Sequence, residues 1–310
     1  MQGERVILTA AGTGLTLLCL FAISWLGPAG ALFNLLTPLP AAYLSLRLGL
    51  RCGVAIVGIT ALLVLSATSL YTALSYLTLF GTGSLLLPFA LLLRTSWDRS
   101  VAFAAAGSVA LAALLLGLIA LAGPHAPTAL VDQLVQSEAE QAMQLYRSVG
   151  FSEQQLAEIG TLVEQLAAFV RSSFFGLFSA IVLAIQALTL LLLQQLTKKK
   201  FPFAGVAFAR WRLPARLIWL LIFAGFSAFM PVPLFAWIGR NLLLVLLPLY
   251  FVQGMAVVSS FLQRRPYPPV IKGLIYTLLL VLNPLPMIVT SIGIFDLWID
   301  FRKTRQEKLS

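Results

Sequence analysis

Apolar residues in this chain come in long blocks, broken by short polar turns and clusters of charge. A helix needs about 20 mostly apolar residues to cross a bilayer. On that rule the pattern predicts membrane helices at 5–26, 29–47, 52–70, 73–94, 100–123, 168–197, 214–236 and 241–262, with a final apolar stretch at 268–299. Three blocks are punctuated by Pro-x-Pro: Pro38 and Pro40 in LLTPLPAA, Pro231 and Pro233 in FMPVPLF, Pro284 and Pro286 in LLLVLNPLPMIVT. Proline removes a backbone donor and clashes with the preceding turn, and the residue before it avoids helical angles. Each pair is therefore a helix break. In the last stretch it leaves two half-helices that each reach roughly 20 Å, short of a crossing. That stretch is expected to enter and leave the membrane on one side. The alternative is a single kinked span with a miscounted helix elsewhere, and the Pro38/Pro40 block is the candidate for the miscount.

Residues 124–167 break the pattern. Asp132, Glu138, Glu140, Glu153, Glu158 and Glu164 face only Arg147, a balance of −5 in a chain whose net charge is +10. Val131, Leu134, Val135, Ala142, Leu145 and Tyr146 recur at roughly helical spacing, and Gly150 is a natural stop. Ser152 and Gln155 then form a capping box, with Phe151 and Leu156 as a hydrophobic staple. Leu156, Ile159, Val163, Leu166 and Val170 continue one stripe of a second helix. A helical hairpin outside the membrane is expected, running on into the span at 168–197.

Composition fixes the class. Of 310 residues, 60% are hydrophobic and 10% charged, and the mean hydropathy is +0.95. Soluble domains carry about 25% charged residues, so most of this surface must face lipid or pack within a membrane bundle. The N-terminal apolar run exceeds the roughly 7–15 residues of a signal-peptide core and reads as the first span. Cys19 and Cys52 form no metal or disulfide pattern.

The basic residues read as loop markers, not as a nucleic-acid surface. Arg47 and Arg51, Arg94 and Arg99, Lys198 to Lys200 with Arg210, Arg212 and Arg216, and Arg264 with Arg265 all fall in alternate connections. By the positive-inside bias these loops, the N-terminus and the tail with Arg302, Lys303, Arg305 and Lys308 are cytoplasmic. Arg240 is the one basic residue on the other side. The segment 201–219 mixes aromatics and arginines and reads as an interfacial stretch against anionic headgroups.

Candidate chemistry is sparse. The phosphate-loop, zincin and nucleophile-elbow motifs are absent from the sequence. His125, beside Pro124, sits at a predicted helix end. Asp296 and Asp300 share one helical face near the cytoplasmic end, where they could bind a cation or accept protons, or instead pair with Lys303 and other basic neighbours, with Trp298 anchoring the interface. The polar residues inside apolar blocks are Asn34, Gln186, Asn241, Gln253 and Asn283. Hydrocarbon offers them no partner, so they face the bundle interior, either joining helices or lining a solute pocket between broken helices. Small residues in AAGTG and AFAAAGSVALAA allow close helix contact.

The segments WRLPARLIWLLIFAGF, IGRNLLLVLLPLYFVQGMAVV, PPVIKGLIYTLLLVLNPLPMIV and IGIFDLWIDFRK resemble the YybS-like bacterial membrane proteins of unknown function. PLPAAYLSLRLGLRCGVAI fits the same family more loosely. The resemblance implies a multi-pass protein of the bacterial inner membrane and brings no catalytic residues. At one remove, PLPAAYLSLRLGLRCG looks like the front of the substrate-binding membrane subunits of energy-coupling-factor transporters. Those have six helices and work with a separate ATPase module.

The expected fold is an all-α polytopic transmembrane bundle of about eight spans plus the Pro-broken C-terminal segment. Its parts are N-terminal membrane helices at 1–123, the acidic hairpin at 124–167, and C-terminal membrane helices with a basic tail at 168–310. The expected role is a transport-type subunit without enzymatic activity or cofactor, binding a small solute through Asn34, Asn241, Gln253 and Asn283. The alternative is a scaffold that recruits proteins through its packing faces and outer hairpin. Expected partners are the bilayer and membrane or ATPase subunits or a second copy, not nucleic acid.

Overall fold

The computed structural model describes residues 2–122, 127–197, 201 and 203–302. All regular elements among them are helical, so backbone hydrogen bonds close within each segment, as hydrocarbon requires. Six helices are long and apolar enough to cross a membrane, and a bent C-terminal pair could add a seventh. The chain is an all-α polytopic bundle, with fewer full spans than its apolar blocks number. Two compact units form, Met1–Leu134 with Ile181–Gly205, and Val135–Ala180 with Val206–Ser310. Pro124 and His125, together with Lys198 to Lys200, Lys303, Arg305 and Lys308, lie outside the described residues.

In the first unit, α1 (Gln2–Leu26) is followed by α2 (Gly30–Asn34) and α3 (Leu39–Leu48). The span expected at 29–47 is thus two short helices. Gly30 lies directly on α1, where a Cβ would come 2.3 Å from the Ala22 carbonyl oxygen. Helix α3 restarts with Pro38 at its cap and Pro40 in its first turn, where a missing N–H leaves no bond unmade. Then come α4 (Leu50–Ala67), α5 (Leu70–Tyr76), a π turn at Leu77–Gly81, α6 (Thr82–Leu92) and α7 (Trp97–Ala122). Tyr76, Phe80 and Ile185 pack with Ala41, Leu44, Ile56 and Val57 in one core. Leu87, Leu190 and Leu193 pack with Ala42, Leu46, Val101 and Ala104 in another.

Helices α8 (Pro127–Ser148) and α9 (Glu153–Thr197) contribute residues to both units. The 45 residues of α9 make it about 68 Å long. That is more than twice the roughly 30 Å of hydrocarbon, so much of its acidic first half stands outside the membrane. It runs unbroken through 167 and 168. The turn before it is built as its residues dictate. Gly150 takes φ +87°, the Ser152 N–H donates to Gln155 Oε1 at 3.0 Å, and the Gln155 N–H donates to Ser152 Oγ at 3.4 Å. Ser152→Ala is expected to remove about 0.5–2 kcal/mol of local helix stability, read as faster amide exchange confined to 152–160. One detail differs from the sequence pattern. Leu166 is exposed, while Ala167 is buried, since the packed stripe drifts round the helix. Phe151 meets the edge of the Tyr146 ring at 5.8 Å.

The second unit continues with α10 (Leu217–Ala228), α11 (Pro233–Gln263), α12 (Pro269–Val281) and α13 (Leu285–Ile299). The turn between α10 and α11 falls at Pro231 and Pro233, with Pro233 opening α11. Arg240, read from sequence as a loop charge, lies exposed within α11. Helices α12 and α13 meet at 97°, broken at the Asn-Pro-Leu-Pro stretch as expected. Helices α11 and α13 touch backbone to backbone. A Cβ on Gly254 would lie 1.9 Å from the Val289 carbonyl oxygen, and one on Gly293 2.0 Å from that of Tyr250. Ile218, Leu221, Ala224, Leu246 and Tyr250 form the core between α10 and α11.

Candidate functional site

Three of the four amides expected to line a pocket bond to backbone within their own units. Asn34, in the first unit, donates from Nδ2 to the Leu20 carbonyl at 3.1 Å and ties α2 to α1. Asn241 accepts from the Gly176 N–H at 2.7 Å and donates to the carbonyls of Ser172 at 3.1 Å and Trp237 at 2.9 Å. Gln253 accepts from the Leu213 N–H at 2.9 Å and donates to the Gly293 carbonyl at 2.9 Å. These are helix-joining bonds, the role polar side chains take where lipid offers no partner. Asn283 is a correction. It is exposed at the α12–α13 break, and Gln253 and Asn241, its expected partners, bond elsewhere. Residues 281–284 at the break are all exposed, so Asn283 does not face the bundle interior.

The second unit also holds a buried charge cluster. Asp296, in α13, is fully buried. Its Oδ2 accepts from Arg302 at 2.9 Å and lies 3.6 Å from Arg212 Nε. Arg212 also pairs with Asp300, which adopts a left-handed conformation at φ +46° just past the helix. Arg302 donates to the carbonyls of Ala209 and Trp211 at 3.1 and 2.7 Å, and Arg264 donates to the Arg302 carbonyl. Burial holds the Arg302 pKa below its usual value, and the Asp296 carboxylate offsets only part of that shift. The cluster, with Gln253, clasps the arginine- and aromatic-rich segment before α10 onto α11 and α13. The pairing of Asp296 and Asp300 with basic neighbours was legible in sequence. That Arg212, some 88 positions away from Asp300, is one of them was not.

Among the described residues, several buried polar atoms lack a hydrogen-bond partner, and at Gln186 of the first unit this holds for the whole amide. Gln186, on α9, is fully buried, and neither end of its amide makes a hydrogen bond among the described residues. It presses on Gly83 of α6, where a Cβ would fall 1.9 Å from Gln186 Nε2. Gly83 is the second residue after the π turn at 77–81. Such turns leave the regular hydrogen-bond ladder and occur frequently at functional sites. In the same unit, Ser108 Oγ on α7 is buried and makes no hydrogen bond among the described residues. Other buried hydroxyls nearby are satisfied by carbonyls of their own helix, such as Ser84 on Gly81 and Thr189 on Ile185. The arrangement offers amide and hydroxyl donors and acceptors with no formal charge. Sequence reading noted Gln186 but could not distinguish it from Asn241, because satisfaction depends on which carbonyls face it.

These features define a multi-pass α-helical membrane protein with polar groups set inside its helices. The chain belongs to the family described as predicted membrane protein (DUF2232), whose profile matches residues 14–297. No curated protein and no solved structure matches it.

Proposed function

We propose that the chain is the solute-binding membrane subunit of a transport system, taking a small uncharged polar solute beside the π turn of the first unit. The observation that carries this reading is the Gln186 amide, buried with both ends unpartnered. Leaving a buried polar group unsatisfied costs about 1–3 kcal/mol, and a solute supplying its partners recovers that energy. The six membrane segments of the first unit (α1, α2 with α3, α4, α5 with α6, α7 and the end of α9) support it. Their number equals that implied by the resemblance to energy-coupling-factor substrate subunits. On this reading the protein sits in a bacterial inner membrane with both termini cytoplasmic and carries out no chemistry itself. A partner ATPase supplies the energy, since this sequence has no phosphate-binding loop.

Gln186→Met separates function from packing. It keeps the length of the side chain and removes the unmet amide. The expected result in mild detergent is unchanged or higher thermal stability, with loss of a small molecule that wild type retains in native mass spectra. Lower stability together with no retained molecule in wild type would identify Gln186 as a packing residue. The scaffold reading would then stand on Leu162, Leu166 and Phe169, an exposed apolar stripe on the outer half of α9.

A further inference from the structure

We propose that the groove between α1 and α4 is a binding site for one anionic phospholipid, with its phosphate on Arg5 and Arg51 and an acyl chain along the apolar wall. The groove encloses about 980 Å³; its lining runs from Arg5 to Leu17 on α1 and from Leu48 through Arg51 to Leu63 on the other side. The two helices run side by side in the same direction, joined near the basic end by the contact of Thr9 Oγ1 with Cys52 Sγ at 2.9 Å. Twelve residues along each helix give a wall of about 18 Å. That is close to the depth of one leaflet, half of the roughly 30 Å hydrocarbon core. A transmembrane helix of a partner would need a seam running the full thickness. A single lipid needs only this half.

Charge selects the lipid. Arg5 and Arg51 are exposed and make no ion pair among the described residues, and Arg47 lies exposed at the end of α3, across the Gly49 break from Arg51. Guanidinium groups bind phosphate through paired N–H donors. Beyond them the wall is apolar, with Leu17, Ile59 and Leu63 on its deeper part. Gly14 keeps it open, since a Cβ there meets nothing within 4 Å. A basic mouth above an apolar trough of leaflet depth matches an anionic amphiphile and neither a free ion nor a neutral lipid.

The test uses the full chain in mild detergent, titrated with phosphatidylglycerol or phosphatidylcholine and read by native mass spectrometry. Wild type should hold one phosphatidylglycerol at least tenfold more tightly than phosphatidylcholine. Arg5→Gln or Arg51→Gln should each lower that preference about fivefold, and the pair should abolish it. Gly14→Phe fills open space, so it should leave thermal stability unchanged and remove binding of both lipids. Gln186→Met should leave lipid binding untouched, which keeps this site separate from the solute site. Equal binding of the two lipids, or a preference that survives the double arginine variant, overturns the proposal. So does competition by glycerol phosphate at the same concentration as lipid, which would reveal a site for the anion alone. Gly14→Phe that keeps the lipid but releases a co-purifying protein overturns it in favour of protein docking.

Discussion

Asp296→Ala lowers the stability of the protein in detergent by about 3–5 kcal/mol, the scale for breaking a buried ion pair by removing one partner. The carboxylate is fully buried, and Arg302, itself nearly buried, depends on it. Without Asp296 the Arg302 guanidinium keeps its two backbone carbonyls but loses its countercharge. Arg212 loses one of its two acidic contacts. The segment 206–216 should therefore show faster amide exchange than the helices beside it. Adding Arg302→Leu should restore part of the loss, because the uncompensated charge leaves with it. A single variant as stable as wild type, or a double variant less stable than the single, would show that the clasp does not hold this segment.

Gly254→Ala and Gly293→Ala should each destabilise by about 3 kcal/mol or more, the upper range of overpacking, because the new methyl meets a carbonyl oxygen and not a movable side chain. Helices α11 and α13 must separate to admit it. The two effects should not add, since both changes act on one contact. Gly273→Ala in α12 is the control, because its Cβ meets nothing within 4 Å. It should leave stability unchanged or raise it by up to about 1 kcal/mol through helix propensity. Thermal melting of the three variants in one detergent decides the matter. Equal losses at all three positions would mean that glycine acts through the helix backbone and not through the interface.

Much of this architecture is written in local pattern. The capping box at Ser152, the stop at Gly150 and the break at Pro284 depend on neighbours in sequence, and they formed where their residues predict. The errors arose where a helix end depends on what it packs against. Hydrophobicity alone runs 29–47 into one span, but Thr37-Pro38 and the seating of Gly30 on α1 divide it. Arg240 looked like a loop because it is charged, yet a long exposed side chain within a membrane helix can reach the interface. The polar residues were easy to find and hard to rank. Asn241 and Gln186 are both amides in apolar helices. Only the facing backbone distinguishes them: carbonyls and an N–H within reach for one, a glycine Cα for the other.

Helix α10 has 12 residues between the interfacial segment and the turn at Pro231. At about 18 Å it falls roughly 12 Å short of the hydrocarbon thickness, and Phe226 and Phe229 at its far end are exposed. Where α10 crosses the membrane by itself, the lipid beside it has to thin to meet that end. Such elastic deformation costs a fraction of a kcal/mol for each ångström. Short-chain lipids relieve it and long-chain lipids increase it. Bilayer thickness thus enters the folding energetics of this protein directly, and thinner regions of membrane are where it is held with least strain.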